Sequence, residues 1–188
     1  MAINIKVYSK DNINDFTSCF SDEQVLETGS VNAIVAALAA SLLKKSSTFA
    51  PESDKKDFIV KNSEILRSYF VHLIDDDVKC RAGYNKELKL GNEDNIEAAV
   101  HPACSINEEL ISMCTQMLEL GLELKPLIDI KYHHYLSEMS EFAISVIKSS
   151  ITWLINFTSQ CKDETYKFVV KRENELNLDY AMELYGKY

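Results

Sequence analysis

Four short stretches of this chain carry side chains able to do acid–base or hydrogen-bond chemistry. The first is the run Asp75-Asp76-Asp77 in IDDDVKCR. Consecutive helical residues point in different directions, so the three carboxylates cannot all serve one site. The run is either a solvated face, or a place where one carboxylate turns inward and its neighbours stay wet. The second is YHHYLSEM, where His133 and His134 stand at a helix start and Ser137-Glu138 lie just inside it. His134 reads as an anion contact or proton shuttle, or simply as a surface residue. Glu138 either faces water or sits in a cleft that tunes its pKa. The third is TWLINFTS, where Asn156 interrupts an apolar stretch and Trp153 reads as core. A buried amide needs several partners, so Asn156 is a structural hydrogen-bonder or a ligand contact. The fourth is ETGSVNAIVAALAASLL, where Gly29-Ser30 precedes an alanine-rich segment. Small side chains suit a helix that something must approach closely.

The elements needed to position these residues are helices. The 188 residues include only 5 glycines and 3 prolines, which favours long helices over many short strands. A short helix is expected near residues 11–20. Ser30 then reads as the N-cap of a helix ending near Lys44-Lys45-Ser46. Ala33, Ala36, Ala37 and Ala40 line one side of it and Ile34, Leu38 and Leu42 another, which predicts a helix buried on two faces. Pro51 breaks the chain. A long helical pattern then carries Phe58, Ile65, Leu66, Tyr69, Phe70, Leu73 and Ile74 to about Leu90. After a loop at 90–94, Pro102 is expected to kink or restart the next helix, with Ser105 and Glu108 as a capping box. Two further helices complete the chain, the last more polar. With no repeat, low-complexity tract or linker, residues 1–188 read as one all-α domain, a bundle of five to seven helices.

A net charge of −9, with both signs mixed along the chain, argues against nucleic acid or an anionic membrane as partner. The N-terminal MAINIKVYSKDNIND lacks an apolar signal core, and the run Ala33–Leu43 is too short to span a bilayer. Five scattered cysteines without a CxxC read as free thiols in a reducing cytoplasm, not as a metal site. No phosphate loop, nucleophile elbow or dinucleotide fingerprint is present.

The order of these pieces resembles the cyclodeaminase/cyclohydrolase family. That family includes the cyclodeaminase half of formiminotransferase-cyclodeaminase and the bacterial methenyltetrahydrofolate cyclohydrolases. LETGSVNAIVAALAASLL matches the family's Gly-Ser loop and alanine-rich helix, retaining Gly29 and Ser30. DDDVKC offers Asp77 for the family's aspartate, and AAVHPAC matches its alanine-to-proline bend. Ser137-Glu138 corresponds to a Ser-Asp helix start, and TWLIN, ending at Asn156, to an Asn-Val-x-Ile-Asn motif. The likeness runs in order through residues 12–175. The chain departs from it in three places: LET replaces a proline- and glycine-rich loop, Glu138 replaces aspartate, and Thr152 replaces asparagine.

The resemblance implies a tetrahydrofolate derivative as substrate, no tightly bound cofactor, and a homodimer formed through helices. Cyclohydrolases add water to the amidinium carbon of methenyltetrahydrofolate; cyclodeaminases close formiminotetrahydrofolate on the same carbon and expel ammonia. Both pass through a tetrahedral centre and need proton transfers. In that reading Glu138 or Asp77 is the general base, and Gly29, Ser30, Ser137, His134 and Asn156 contact the substrate. A relative acting on another small molecule and a non-catalytic interaction module are the alternatives.

Overall fold

The computed structural model describes residues 8–22, 27–91, 93–159 and 161–188. Six α-helices follow in order: α1 (Ile13–Asp22), α2 (Thr28–Ser47), α3 (Asp54–Leu90), α4 (Glu93–Leu124), α5 (His133–Thr158) and α6 (Glu164–Tyr185). Short 3-10 turns lie at Tyr8–Lys10, Lys125–Leu127 and Ile130–Tyr132, and the described residues include no strand. This is the all-α bundle expected from the scarcity of breakers. Local chemistry sets the helix ends. Ser53 caps α3 by accepting from the Lys56 amide at 3.2 Å, and Asp163 caps α6 by accepting from Tyr166 N at 2.9 Å. Gly91 ends α3 in the left-handed conformation, φ 69°, which costs glycine no steric penalty.

The alanine-rich α2 is the middle of the packing, lying chiefly against α3 and α5 with α4 behind. Ala33, Ala36, Ala39 and Ala40 are fully buried. A side chain ending at Cβ lets neighbouring helices come close and gives up no rotamer freedom on burial. Larger residues of the neighbours fill the layer around it, including Phe70, Leu110, Met117 and Ile147.

The expected second buried face of α2 is not there. Leu38 is 53% exposed and Ile34 and Leu42 are half-buried. Among the described residues, the main neighbours of α2 are grouped on its alanine side, and α1 with the first 3-10 turn reaches over part of the other. Between them lies an apolar groove of about 410 Å³ that includes Phe16, Phe20, Val31, Ile34 and Leu38. On α3, Phe58, Ile65 and Tyr69 share the helical pattern but are also exposed, whereas Leu66, Phe70, Leu73 and Ile74 are buried.

Pro102 neither ends nor restarts its helix: α4 runs through it. Proline deprives the carbonyl four residues back of its donor, and both Pro102 and Ala98 lie on the solvent side, where water can replace it. The expected capping box is therefore absent. Ser105 instead donates from its hydroxyl to the Pro102 carbonyl at 2.9 Å.

Among the described residues no helix is long and apolar enough to cross a membrane. All five cysteines are free thiols, with Cys104, Cys114 and Cys161 buried.

The two faces of α2 should respond differently to substitution. Ala36→Leu forces bulk into the closest helix contact and should cost about 1–3 kcal/mol. Leu38→Ala, on the open face, should cost less than about 1 kcal/mol. Urea unfolding of the two variants measures both, and equal losses would contradict this assignment of faces.

Candidate functional site at the amino end of α2

A helix starts with amides that no residue of its own can satisfy. Glu27 occupies the N-cap position of α2 in an extended conformation, but its side chain makes no capping bond. Ser30, expected as the cap, lies inside the first turn. The cap comes from α3. Asp77 Oδ2 accepts from the Ser30 amide at 2.8 Å and from the Ser30 hydroxyl at 2.7 Å. The same hydroxyl lies 3.3 Å from the Ile74 carbonyl. This close approach explains Gly29: a Cβ there would stand 2.6 Å from the Asp77 Cγ and collide with its oxygen.

Asp77 is 1% exposed. Burial pushes its carboxyl pKa up, the two Ser30 bonds pull it partly back, nearby Glu27 adds to the rise and Arg81 opposes it. Burial outweighs the rest. The other two aspartates of the run have separate tasks, as their directions require. Asp75 accepts from the amides of Tyr8 and Ser9, at 2.6 and 3.1 Å, and holds the first 3-10 turn against α3. Asp76 pairs with Lys79 at 2.6 Å.

One turn beyond Asp77, Arg81 enters the same region with 8% of its surface exposed. Its Nη2 donates to Glu27 Oε1 at 2.5 Å. The guanidinium carbon lies 4.7 Å from the ring centre of Phe157, 5.3 Å from Trp153 and 5.4 Å from Tyr84. Aromatic faces attract a cation and cover it from water, and so help to hold a buried charge that a single carboxylate neutralises. Among the described residues, Nε and Nη1 have no acceptor. The Trp153 indole N–H points to Glu27 Oε2 at 3.4 Å, and its ring stacks on Phe157 with centres 4.5 Å apart. Glu27 thus joins α2, α3 and α5 while its side chain stays 28% exposed. Beside it opens a concavity of about 360 Å³, lined by Thr28, Lys148, Ser149, Thr152, Trp153 and Asn156.

The expected site residues fall into two groups. Gly29, Ser30 and Asp77 form the buried cap, and Asn156 lines the adjoining concavity, exposed rather than buried. His134, Ser137 and Glu138 are exposed at the other end of the bundle. Two contacts fix that arrangement. Asn32 donates to Ser150 Oγ at 3.0 Å, joining the early part of α2 to the late part of α5, and Phe49 stacks on Tyr132 at 3.8 Å at the opposite ends. Glu138 and Asn156 are therefore separated by about 27 Å along α5. His134 engages only its own end, with Nδ1 3.0 Å from the Lys131 carbonyl. Glu27, Arg81 and Trp153 were not expected at the site. The one local signal for Arg81 is its position four residues after Asp77, which puts both on the same helix face.

Among the described residues no group of three or more His, Cys, Asp or Glu is placed to hold a metal ion. No family model matches the chain, and no curated protein does. Among solved structures, the chain is similar to the crystal structure of formiminotetrahydrofolate cyclodeaminase from Thermotoga maritima. The TM-score is 0.84 at 15% identity, over 95% of each chain. At that identity the likeness establishes the cyclodeaminase fold.

Two outcomes test the cap. Gly29→Ala should destabilise the chain by about 1–3 kcal/mol, because its Cβ displaces the Asp77 carboxylate. Asp77 also predicts a pH dependence. A carboxyl whose pKa is higher in the fold than in the unfolded chain favours folding when protonated, and its ionisation opposes folding. The wild type should therefore lose stability relative to Asp77→Asn as pH rises from the ordinary aspartate range through the raised pKa. Urea midpoints across that range measure it; a flat or opposite difference would show that burial does not control this carboxyl.

Proposed function

We propose that this chain is a folate one-carbon enzyme acting by proton transfer at an amidine carbon. The observation that carries the reading is Glu27, held by Arg81 and Trp153 beside the concavity, on a fold shared along nearly its whole length with a formiminotetrahydrofolate cyclodeaminase. Trp153 offers an aromatic platform for a planar substrate, and the Asn156 amide can complement the donors and acceptors of a pterin edge.

In the cyclodeaminase direction, N10 of formiminotetrahydrofolate attacks the formimino carbon, forming a C–N bond, and loses its proton. The former imine nitrogen gains protons and leaves as ammonia, and the ring becomes the methenyl cation. In the cyclohydrolase direction, water adds to that cation and loses a proton; N5 regains one as its bond to the carbon breaks, leaving the formyl group on N10. Each course needs a carboxylate that moves a proton and faces a cation, and Glu27 is the accessible carboxylate at this place. Asp77 supports it from behind by holding the helix end on which Glu27 stands.

One observation favours a second reading, the same chemistry on a different small molecule. Glu138, which the resemblance places at the catalytic centre, is exposed and remote from Asp77.

Purified protein should accelerate either formiminotetrahydrofolate cyclisation or methenyltetrahydrofolate hydrolysis, both visible in the methenyl absorbance. Glu27→Gln should lower turnover roughly 10²–10⁴-fold, the usual worth of a general acid or base. Glu138→Gln should keep it. A folded protein that accelerates neither reaction would reject the folate reading. Loss of turnover in Glu138→Gln alone would move the site to the other end of α5.

A further inference from the structure

The concavity beside Trp153 includes a lysine, on a chain whose net charge is −9. Of its six lining residues only Lys148 is charged, and no carboxylate is among them. Lys148 offers its carbonyl to the Thr152 hydroxyl at 2.8 Å, while its ammonium makes no ion pair among the described residues. Glu27, which precedes Thr28, is paired with Arg81 at 2.5 Å. Thr28 and Ser149 add hydroxyl donors at the rim.

Spacing along α5 gives the concavity a direction. Lys148 lies five residues before Trp153, about 7.5 Å along the helix, and Asn156 lies beyond Trp153 on the other side. Along the helix axis the lining residues thus run from a cation to an aromatic ring to an amide. Folates carry the matching series: carboxylates, a benzoyl ring, then a pterin.

Resting on the folate reading above, we infer that the Lys148 end of this concavity is a carboxylate subsite, which takes the glutamyl end of the substrate while Trp153 takes the adjoining ring. It predicts that a ligand lacking the pterin still binds, and that its affinity depends on Lys148.

Trp153 is the only tryptophan of the chain and lines the concavity, so its fluorescence reports the site directly. The probes are p-aminobenzoylglutamate, which has ring and carboxylates, and p-aminobenzamide, which has the ring alone. Wild type should bind the first more tightly, with an affinity that falls as salt is added. Lys148→Glu should weaken it at least about tenfold and flatten the salt dependence, Lys148→Arg should restore it, and p-aminobenzamide should bind all three alike. Lys45→Glu, in a cationic surface hollow at the far end of α2, should bind as wild type does. Equal binding by wild type and Lys148→Glu, an equal loss in Lys45→Glu, or no response to p-aminobenzoylglutamate would each overturn the subsite. The two readings fail separately. If tetrahydrofolate derivatives are turned over with an unchanged KM in Lys148→Glu, the subsite falls and the folate reading stands. If p-aminobenzoylglutamate binds in a Lys148-dependent way but no folate is turned over, the subsite stands and the folate reading falls.

Discussion

The carboxylate of Asp77 ends a helix to which it does not belong. By accepting from both the amide and the hydroxyl of Ser30, it fixes where α2 begins and how closely α3 lies against it. The other small residues follow from that contact. Gly29 leaves the carboxylate room, and the buried alanines allow the helices to stay close beyond the first turn. The same contact sets the chemistry nearby. One turn along α3 it delivers Arg81, and directly before the capped turn it holds Glu27, so the ion pair is a consequence of the docking geometry.

The charges at this helix end form a graded series from the interior outwards. Asp77, innermost, is in surroundings that favour its neutral form. The Arg81 guanidinium comes next. Three aromatic rings and one carboxylate surround it. Glu27, outermost, balances that charge and reaches solvent. A buried carboxyl, a caged guanidinium and an accessible carboxylate thus lie within one cluster, along a short path to solvent.

Much of the fold was legible in the residues. Pro51, Gly91 and Asp163 mark helix boundaries by chemistry that does not depend on tertiary contacts, and the spacing of Leu66, Phe70, Leu73 and Ile74 finds the buried face of α3. Spacing could not say which apolar face lacks a covering layer, and Leu38 and Phe58 are exposed for that reason. The site was legible only in pieces. Asp77, Gly29 and Ser30 stood out, but nothing local joins residues 47 positions apart. Trp153 and Glu27 are 126 positions apart, so the indole passed for core. Ser137, Glu138 and Asn156 share one long helix, and sequence order does not reveal that its two ends border different parts of the bundle. Pro102 shows the converse: the helix restart it suggests does not occur where water can satisfy the freed carbonyl.

A helix capped from outside itself has a particular place in the order of folding. Alanine-rich α2 has the propensity to form turns early, yet its register at the amino end is undefined until Asp77 arrives. That contact closes a loop whose entropy must be spent before the first turn of α2 gains anything. The α2–α3 hairpin should therefore form as one cooperative unit, with the Ser30 amide gaining its protection from exchange together with the middle of α3. Arg81, on that stretch of α3, would be caged only afterwards, once α5 brings Trp153 and Phe157.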